Sequence, residues 1–175
     1  TRRRAKQLAY NAEHGITLHL GKEVTTIDRV RRKVIAADGT QAEYDRLLLA
    51  TGSVPFILPI PGKDLQGVIG YRDIHDTQTM IDTAKVKQHA VVIGGGLLGL
   101  EAANGLKLRG MQVTVVHLAG WLLERQLDPV AGALLEKSLV ARGLDFRLNT
   151  ATTEIVGNEA GEVAAVRFSD GEQIP

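Results

Sequence analysis

Short runs rich in Val, Ile, Thr and other apolar residues predict two antiparallel hairpins, one in each half of the chain. In the first half the predicted strands are residues 24–28 and 33–37. In the second half they are residues 153–156 and 163–168. Each pair is separated by a short, mostly polar stretch, so we expect each pair to form a hairpin.

Helices and buried strands account for most of the remaining chain. Apolar residues spaced three or four apart predict helices over 2–13, 73–85 and 129–141. Short apolar runs predict strands over 16–20, 47–50, 90–93, 112–116 and 145–148, of which 47–50 is expected to be buried. From residue 73 onward helices and strands alternate, which predicts an α/β domain with a parallel sheet.

A glycine-rich turn connects the strand over 90–93 to the next helix. It runs Gly94-Gly95-Gly96-Leu97-Leu98-Gly99, with the small residue Ala103 four positions further on. In this pattern Gly94 makes a tight turn, Gly96 lets the backbone approach a pyrophosphate, and Gly99 lets the helix pack closely. The N–H groups and the dipole at the start of the helix favour phosphate. The pattern therefore predicts a dinucleotide-binding site.

The two halves of the chain repeat the same order of elements. Residues 14–20 align with residues 142–148 at an offset of 128, and the turn at Asp38-Gly39 aligns with Asp170-Gly171 at an offset of 132. Coincidence between two ordinary units is the alternative, but the shared order favours duplication. At these offsets the first copy lacks its glycine turn and the second lacks its last strand. We therefore expect an internal fragment of a longer protein.

The residue that would select the nucleotide is His117. The dinucleotide pattern expects an acid about 20 residues after the glycines, at the end of the second strand, to bind a ribose hydroxyl. A neutral histidine there can hydrogen-bond the hydroxyl, a protonated one favours a 2′-phosphate, and a third possibility is no ligand role. Gly99 favours NAD, whereas the missing acid and the nearby Arg125 favour NADP. The sequence leaves this choice open.

Two further positions have both a functional and a purely structural interpretation. Glu101 lies in the first turn of the helix, where the helix dipole stabilises a carboxylate. That explanation and a role beside a nicotinamide are equally compatible with the sequence. The apolar run over 47–50 leads into the small residues Thr51 and Gly52. These either end a strand or allow close approach of a ligand.

Composition excludes several classes of function. The 175 residues are 44% hydrophobic and 23% charged with a net charge of +1, which predicts a globular protein without a nucleic-acid or membrane partner. The sequence contains no cysteine, which excludes disulfides, thiolate metal sites and dithiol chemistry in this chain. The histidines show no metal-ligand spacing. With no signal peptide, these features favour a cytoplasmic protein.

The Ala-Thr-Gly turn at 50–52, the Pro-rich linker over 55–62 and the glycine motif occur in an order that resembles the pyridine nucleotide–disulfide oxidoreductase superfamily. The resemblance implies a partial FAD-binding domain over 1–70. It also implies a Rossmann-like NAD(P)H-binding domain with a parallel sheet and a β-hairpin extension over 71–175. The implied FAD contacts are Thr51 and Gly52, and the candidate NAD(P)H contacts are Gly94, Gly95, Gly96, Leu97, Leu98, Gly99, Glu101, His117 and Arg125.

Within this superfamily, the glycine motif followed by Leu-Leu-Glu-Arg-Gln-Leu-Asp over 122–128 is similar to the large subunits of assimilatory NAD(P)H-dependent nitrite reductases. This implies hydride transfer from NAD(P)H to FAD, which supplies nitrite reduction to ammonium. Sirohaem and iron–sulfur centres would belong to absent parts of the parent, and the partner would be a small subunit or a second copy. No catalytic residue is assigned, and we expect the fragment alone to be inactive.

Two alternatives remain at this point. The first is a ferredoxin or rubredoxin reductase, or an NADH oxidase, of the same superfamily. The second is a nucleotide-binding module without turnover.

Overall fold

The computed structural model describes residues 10, 11 and 13–175. The described chain divides between Gly52 and Ser53 into two compact units. The helix predicted over 2–13 falls largely on residues outside this description. Its described members, Tyr10, Asn11 and Glu13, are helical. The two units are described separately below.

The first unit contains a three-stranded antiparallel sheet. Its strands are β1 (Val24–Asp28), β2 (Lys33–Ala36) and β3 (Gln41–Glu43), in the order β1-β2-β3. The predicted first hairpin is therefore confirmed. The third strand was not predicted, because three residues are too few to show a two-residue period.

Two strand predictions in the first unit are wrong. Residues 16–20 and 47–50 belong to no strand, and Leu48 and Leu49 are 86% and 65% exposed instead of buried. A strand exists through hydrogen bonds to a neighbouring strand. No described strand pairs with either segment, so apolar character alone does not make them strands.

The second unit is built on a parallel sheet with the order β4-β5-β6. In chain order its elements are α1 (Ile74–Thr83), β4 (His89–Ile93), α2 (Leu97–Lys107), β5 (Gln112–Val116), α3 (Pro129–Val140) and β6 (Asp145–Arg147). Each matches a predicted element to within a few residues. The order places β5 between its two neighbours, so the end of β5 and the start of α2 share one edge of the sheet.

Side-chain caps and a buried core hold these elements in place. Asp73 and Asp76 form a capping box at the start of α1, and Asp128 caps α3 ahead of Pro129. The buried core consists of Ala103, Leu106, Met111, Val113, Val115, Leu122, Leu139 and Leu144. No helix in the described part of the chain is long and apolar enough to cross a membrane.

A second antiparallel sheet follows β6. It consists of β7 (Thr152–Gly157), β8 (Val163–Phe168) and β9 (Gln173–Ile174). The predicted second hairpin is confirmed, and the two-residue β9 was not predicted. Phe168 and Val166 pack with Val116 in a small buried cluster, which attaches this sheet to the end of β5.

The two Asp-Gly turns share the same conformation and the same hydrogen bond from a backbone N–H to the aspartate side chain. Gly39 and Gly171 have positive φ angles of 84° and 83°. Asp38 and Asp170 each accept a hydrogen bond from the backbone N–H two positions on, at 3.0 and 2.9 Å. The two antiparallel sheets therefore turn in the same way, as the predicted duplication requires.

Candidate functional site

The glycine turn between β4 and α2 forms an open cradle. Gly94 has a φ of 122°, which favours glycine, and its N–H donates to the carbonyl of Val116 at the end of β5 (2.8 Å). Gly96 is the N-cap of α2 and offers no side chain to cap it, and a Cβ at Gly96 would meet no protein atom within 4 Å. The first N–H groups of α2 are therefore free to bind a ligand in front of the turn.

The other two glycines are required by packing. A Cβ at Gly99 would lie 1.9 Å from the carbonyl oxygen of Gly94, so glycine lets α2 approach the turn as predicted. A Cβ at Gly95 would lie 2.8 Å from Leu122 and 2.9 Å from the ring of His117. Sequence reasoning did not predict this second restriction, because Gly95 occupies a variable position of the motif.

His117 directly follows β5 and is buried against the glycine turn. Its Nδ1 accepts a hydrogen bond from the N–H of Gly95 (3.1 Å), and its Nε2 lies 3.0 Å from Oε2 of Glu124. A ring nitrogen that accepts from a backbone N–H carries no proton. The neutral ring is therefore protonated at Nε2 and donates to Glu124. Both ring nitrogens are engaged, so a direct contact with a ribose requires one of these bonds to open.

Glu124 brings a carboxylate to the site. A hydrogen bond from its own backbone N–H lowers the pKa of Glu124, burial opposes this shift, and the hydrogen bond from His117 adds to it. The nearby charge of Arg125, whose Nε lies 4.0 Å from Oε1 of Glu124, lowers the pKa further. The Glu124 side chain remains 33% exposed and that of Arg125 87% exposed. A negative charge is thus accessible beside the turn.

Sequence reasoning missed Glu124 because the dinucleotide pattern places its acid at the end of the second strand. Glu124 lies seven positions after His117, in the loop between β5 and α3. The available signal was the Glu-Arg pair at 124–125 within the run that carries the closer resemblance.

The loop over 118–128 is fixed directly to the glycine turn. The N–H of Leu123 donates to the carbonyl of Gly95 at 3.1 Å, and Leu122 is fully buried in the core. Leu123 adopts a φ of 55°, a left-handed conformation uncommon outside glycine. The carbonyl of Gly95 therefore bonds directly to this loop, and the N–H of Gly95 is linked to the loop through His117 and Glu124.

The remaining predicted residues lie in three places. Leu97 and Leu98, 57% and 46% exposed, begin α2 beside the cradle. Glu101 is exposed and lines a shallow groove between α2 and α1. It is the fifth residue of α2, so the expectation that it lies in the first turn is wrong. Thr51 and Gly52 are exposed residues of the first unit, where Gly52 has a φ of 76° and open space around its α-carbon.

A parallel sheet, a glycine turn with an open helix start and a second antiparallel sheet define the class of protein. Residues 2–175 match the family model of the pyridine nucleotide-disulphide oxidoreductases, and the chain belongs to this family. The resemblance inferred from the glycine motif and the Ala-Thr-Gly turn is therefore confirmed.

Two of the proteins that are similar to this chain are nitrite reductases. The nitrite reductase [NAD(P)H] of Bacillus subtilis (strain 168) is 51% identical over 93% of this chain and 20% of that protein. The nitrite reductase [NAD(P)H] large subunit of Klebsiella oxytoca is 43% identical over 93% of this chain and 17% of that protein. The chain thus spans about a fifth of the length of these relatives.

The fold class is confirmed by a solved structure. The ferredoxin reductase of Rhodopseudomonas palustris superimposes with a TM-score of 0.87 at 30% identity. The match covers 95% of this chain and 41% of that one. The α/β fold predicted from the sequence, with its parallel sheet and hairpin extension, is therefore the fold of this ferredoxin reductase.

Proposed function

We propose that this chain is the NAD(P)H-binding part, with a portion of the FAD-binding part, of a nitrite reductase large subunit. Residues 1–70 would belong to the FAD-binding domain and residues 71–175 to the NAD(P)H-binding domain. The open cradle at Gly94 and Gly96 carries the proposal, because no protein atom lies near these α-carbons and the N–H groups that begin α2 suit a pyrophosphate. The identity to nitrite reductases over 93% of the chain supports the choice of parent.

In this proposal the residues of the chain bind and orient, and the bound dinucleotides supply the hydride chemistry. The N–H groups at the start of α2 bind the pyrophosphate, and Leu97 and Leu98 border it. Glu101, one turn further along α2, would lie beside the nicotinamide. Thr51 and Gly52 allow the backbone of the first unit to approach FAD.

The same proposal covers the rest of the parent protein. Sirohaem and an iron–sulfur centre would be bound outside these 175 residues, because the chain has no cysteine to ligate a cluster. A small subunit or a second copy would be the protein partner, in the cytoplasm. The chain by itself would bind nucleotide without completing turnover.

Gly96 provides a sharp test, because its Cβ position is empty in the protein. We expect Gly96→Ala to lower the melting temperature only slightly, since its φ of −83° suits alanine and no protein atom lies near the added carbon, although alanine is a poorer N-cap than glycine. We expect the same change to weaken NAD(P)H binding about tenfold or more, because the methyl group holds the pyrophosphate away from the N–H groups. Isothermal titration of the purified chain with NADH and NADPH measures this.

The matched control is Gly105→Ala, in the same helix and with the same open space for a Cβ. Alanine in a helix interior is more favourable than glycine by about 0.5–1 kcal/mol, so this variant should be slightly more stable and bind normally. Equal binding by wild type and Gly96→Ala would refute the proposed cradle.

A further inference from the structure

Four residues form a closed set of contacts at the glycine turn. The N–H of Gly95 donates to His117, and His117 in turn donates to Glu124. Leu123, the residue before Glu124, donates its N–H back to the carbonyl of Gly95. The carboxylate of Glu124 is therefore positioned from both sides by the same glycine that belongs to the turn.

The geometry leaves this carboxylate able to accept a further hydrogen bond. A carboxylate has about four acceptor sites, and the bonds from His117 and from the backbone N–H of Glu124 itself use two of them. Its other oxygen, Oε1, lies 4.0 Å from the Arg125 guanidinium, which is beyond direct hydrogen-bond distance. With 33% of its side chain exposed, Glu124 can reach a hydroxyl group in front of the turn.

We propose that Glu124, positioned by His117, is the specificity-determining carboxylate of the nucleotide site and makes it select NADH over NADPH. A carboxylate accepts from a ribose 2′-hydroxyl and repels a 2′-phosphate at the same place. His117 is then a positioning residue that places the charge without itself contacting the ribose. This inference rests on the proposed nucleotide binding and adds which nucleotide is bound.

The opposite assignment depends on Arg125. A guanidinium is a good partner for a 2′-phosphate, and the Arg125 side chain is 87% exposed. However, Glu124 is the residue held by hydrogen bonds to the turn, while the ion pair of Arg125 is with the same carboxylate, at 4.0 Å. A phosphate seated beside Arg125 would also lie beside the charge of Glu124. The fixed carboxylate therefore decides the selectivity.

The test compares the dissociation constants of NADH and NADPH, measured by isothermal titration at low ionic strength. We expect wild type to bind NADH about tenfold or more tightly than NADPH. The loss of one hydrogen bond to a charged group changes a dissociation constant by about this factor. Glu124→Gln should lower this preference about tenfold, because the amide oxygen still accepts from His117 while the repelling charge is removed. Glu159→Gln, an equal charge change in the exposed β7–β8 turn, should leave the ratio unchanged.

A second variant separates positioning from folding. In His117→Asn the short amide cannot reach Glu124 and Gly95 together, so the NADH preference should fall towards that of Glu124→Gln. The melting temperature of His117→Asn is measured alongside. The separate variant Glu124→Asp, which keeps the negative charge, should keep part of the preference for NADH. A purely structural role for His117 would change the melting temperature but leave the ratio of the two dissociation constants intact.

The outcomes distinguish this inference from the proposed function. Binding of both nucleotides with equal affinity, or an unchanged ratio in Glu124→Gln, would overturn the specificity role alone. A wild-type preference for NADPH that disappears in Arg125→Ala would also overturn it. Failure of wild type to bind either nucleotide would remove the proposed function and the inference with it.

Discussion

At the scale of single residues, His117 shows how one side chain can be assigned a different role once its contacts are known. From the sequence it stands where an acid is expected, and the pattern alone allows a hydroxyl contact, a phosphate contact or none. The structure buries the ring between the N–H of Gly95 and the carboxylate of Glu124. These bonds determine its tautomer and hold the carboxylate of Glu124 beside the glycine turn.

The ionisation of Glu124 should be visible in the pH dependence of stability. Its pKa in the folded chain lies below the ordinary value of 4.5, chiefly through the bond from its own backbone N–H. A lowered folded pKa means that the stabilisation is fully present above pH 4.5 and is lost as the pH falls through the folded pKa. Urea unfolding of wild type and Glu124→Gln between pH 7 and pH 3 measures this contribution.

We expect the difference in free energy of unfolding between these two proteins to shrink as the pH falls below about 4.5. Glu159→Gln serves as the comparison for a general effect of removing one acid. A difference that stays constant across this range would show that the carboxylate gains nothing from its ionised form in the folded chain.

At the scale of elements, local signals predicted the second unit well. Asp73 before α1 and Asp128-Pro129 at the start of α3 are recognisable helix starts, and the structure begins both helices there. The strand predictions over 16–20 and 47–50 were wrong because a strand needs a partner that a local apolar pattern does not specify. Glu124 was not predicted as a site residue for a related reason, since its position depends on how the loop over 118–128 folds back onto Gly95.

The cap at Asp128 gives a quantitative test at this scale. Its side chain accepts from the N–H of Ala131 at 2.8 Å, which satisfies one free donor at the start of α3. We expect Asp128→Ala to lower the free energy of unfolding by about 1 kcal/mol. Chemical denaturation of the purified chain measures the change.

Asp128→Asn is the control for this prediction, because asparagine is an equally good N-cap and keeps the acceptor oxygen. Its stability should lie close to that of wild type. If both variants lose the same stability, the charge of Asp128 and not its hydrogen bond to α3 is responsible.

At the scale of the whole molecule, the chain repeats one antiparallel sheet and turn in its two units. The pair of matching Asp-Gly turns was predicted from the offset of the two halves, because an Asp-Gly pair specifies a turn locally. The choice of nitrite as the proposed electron acceptor came from the resemblance to nitrite reductases, because a dinucleotide motif indicates the cofactor and not the acceptor.

The electron acceptor is tested with the full-length parent protein. We expect oxidation of NADH by that protein to depend on nitrite and to yield ammonium. The oxidation is measured as the loss of NADH absorbance at 340 nm. Ferredoxin, rubredoxin and oxygen are supplied as competing acceptors. Faster oxidation with any of these would assign the protein to another reductase of the family, and NADH binding without flavin reduction would indicate a binding module.

The tight space around Gly95 also limits how this site can change during evolution. Any side chain at position 95 collides with Leu122 and the His117 ring, so substitution there is blocked while those two side chains remain. Replacing His117 with a smaller residue frees the space but removes the acceptor for the Gly95 N–H. Substitutions at positions 95, 117 and 122 are therefore coupled. A glycine turn transferred from a distant relative would need the end of its neighbouring strand and the following loop to be transferred with it.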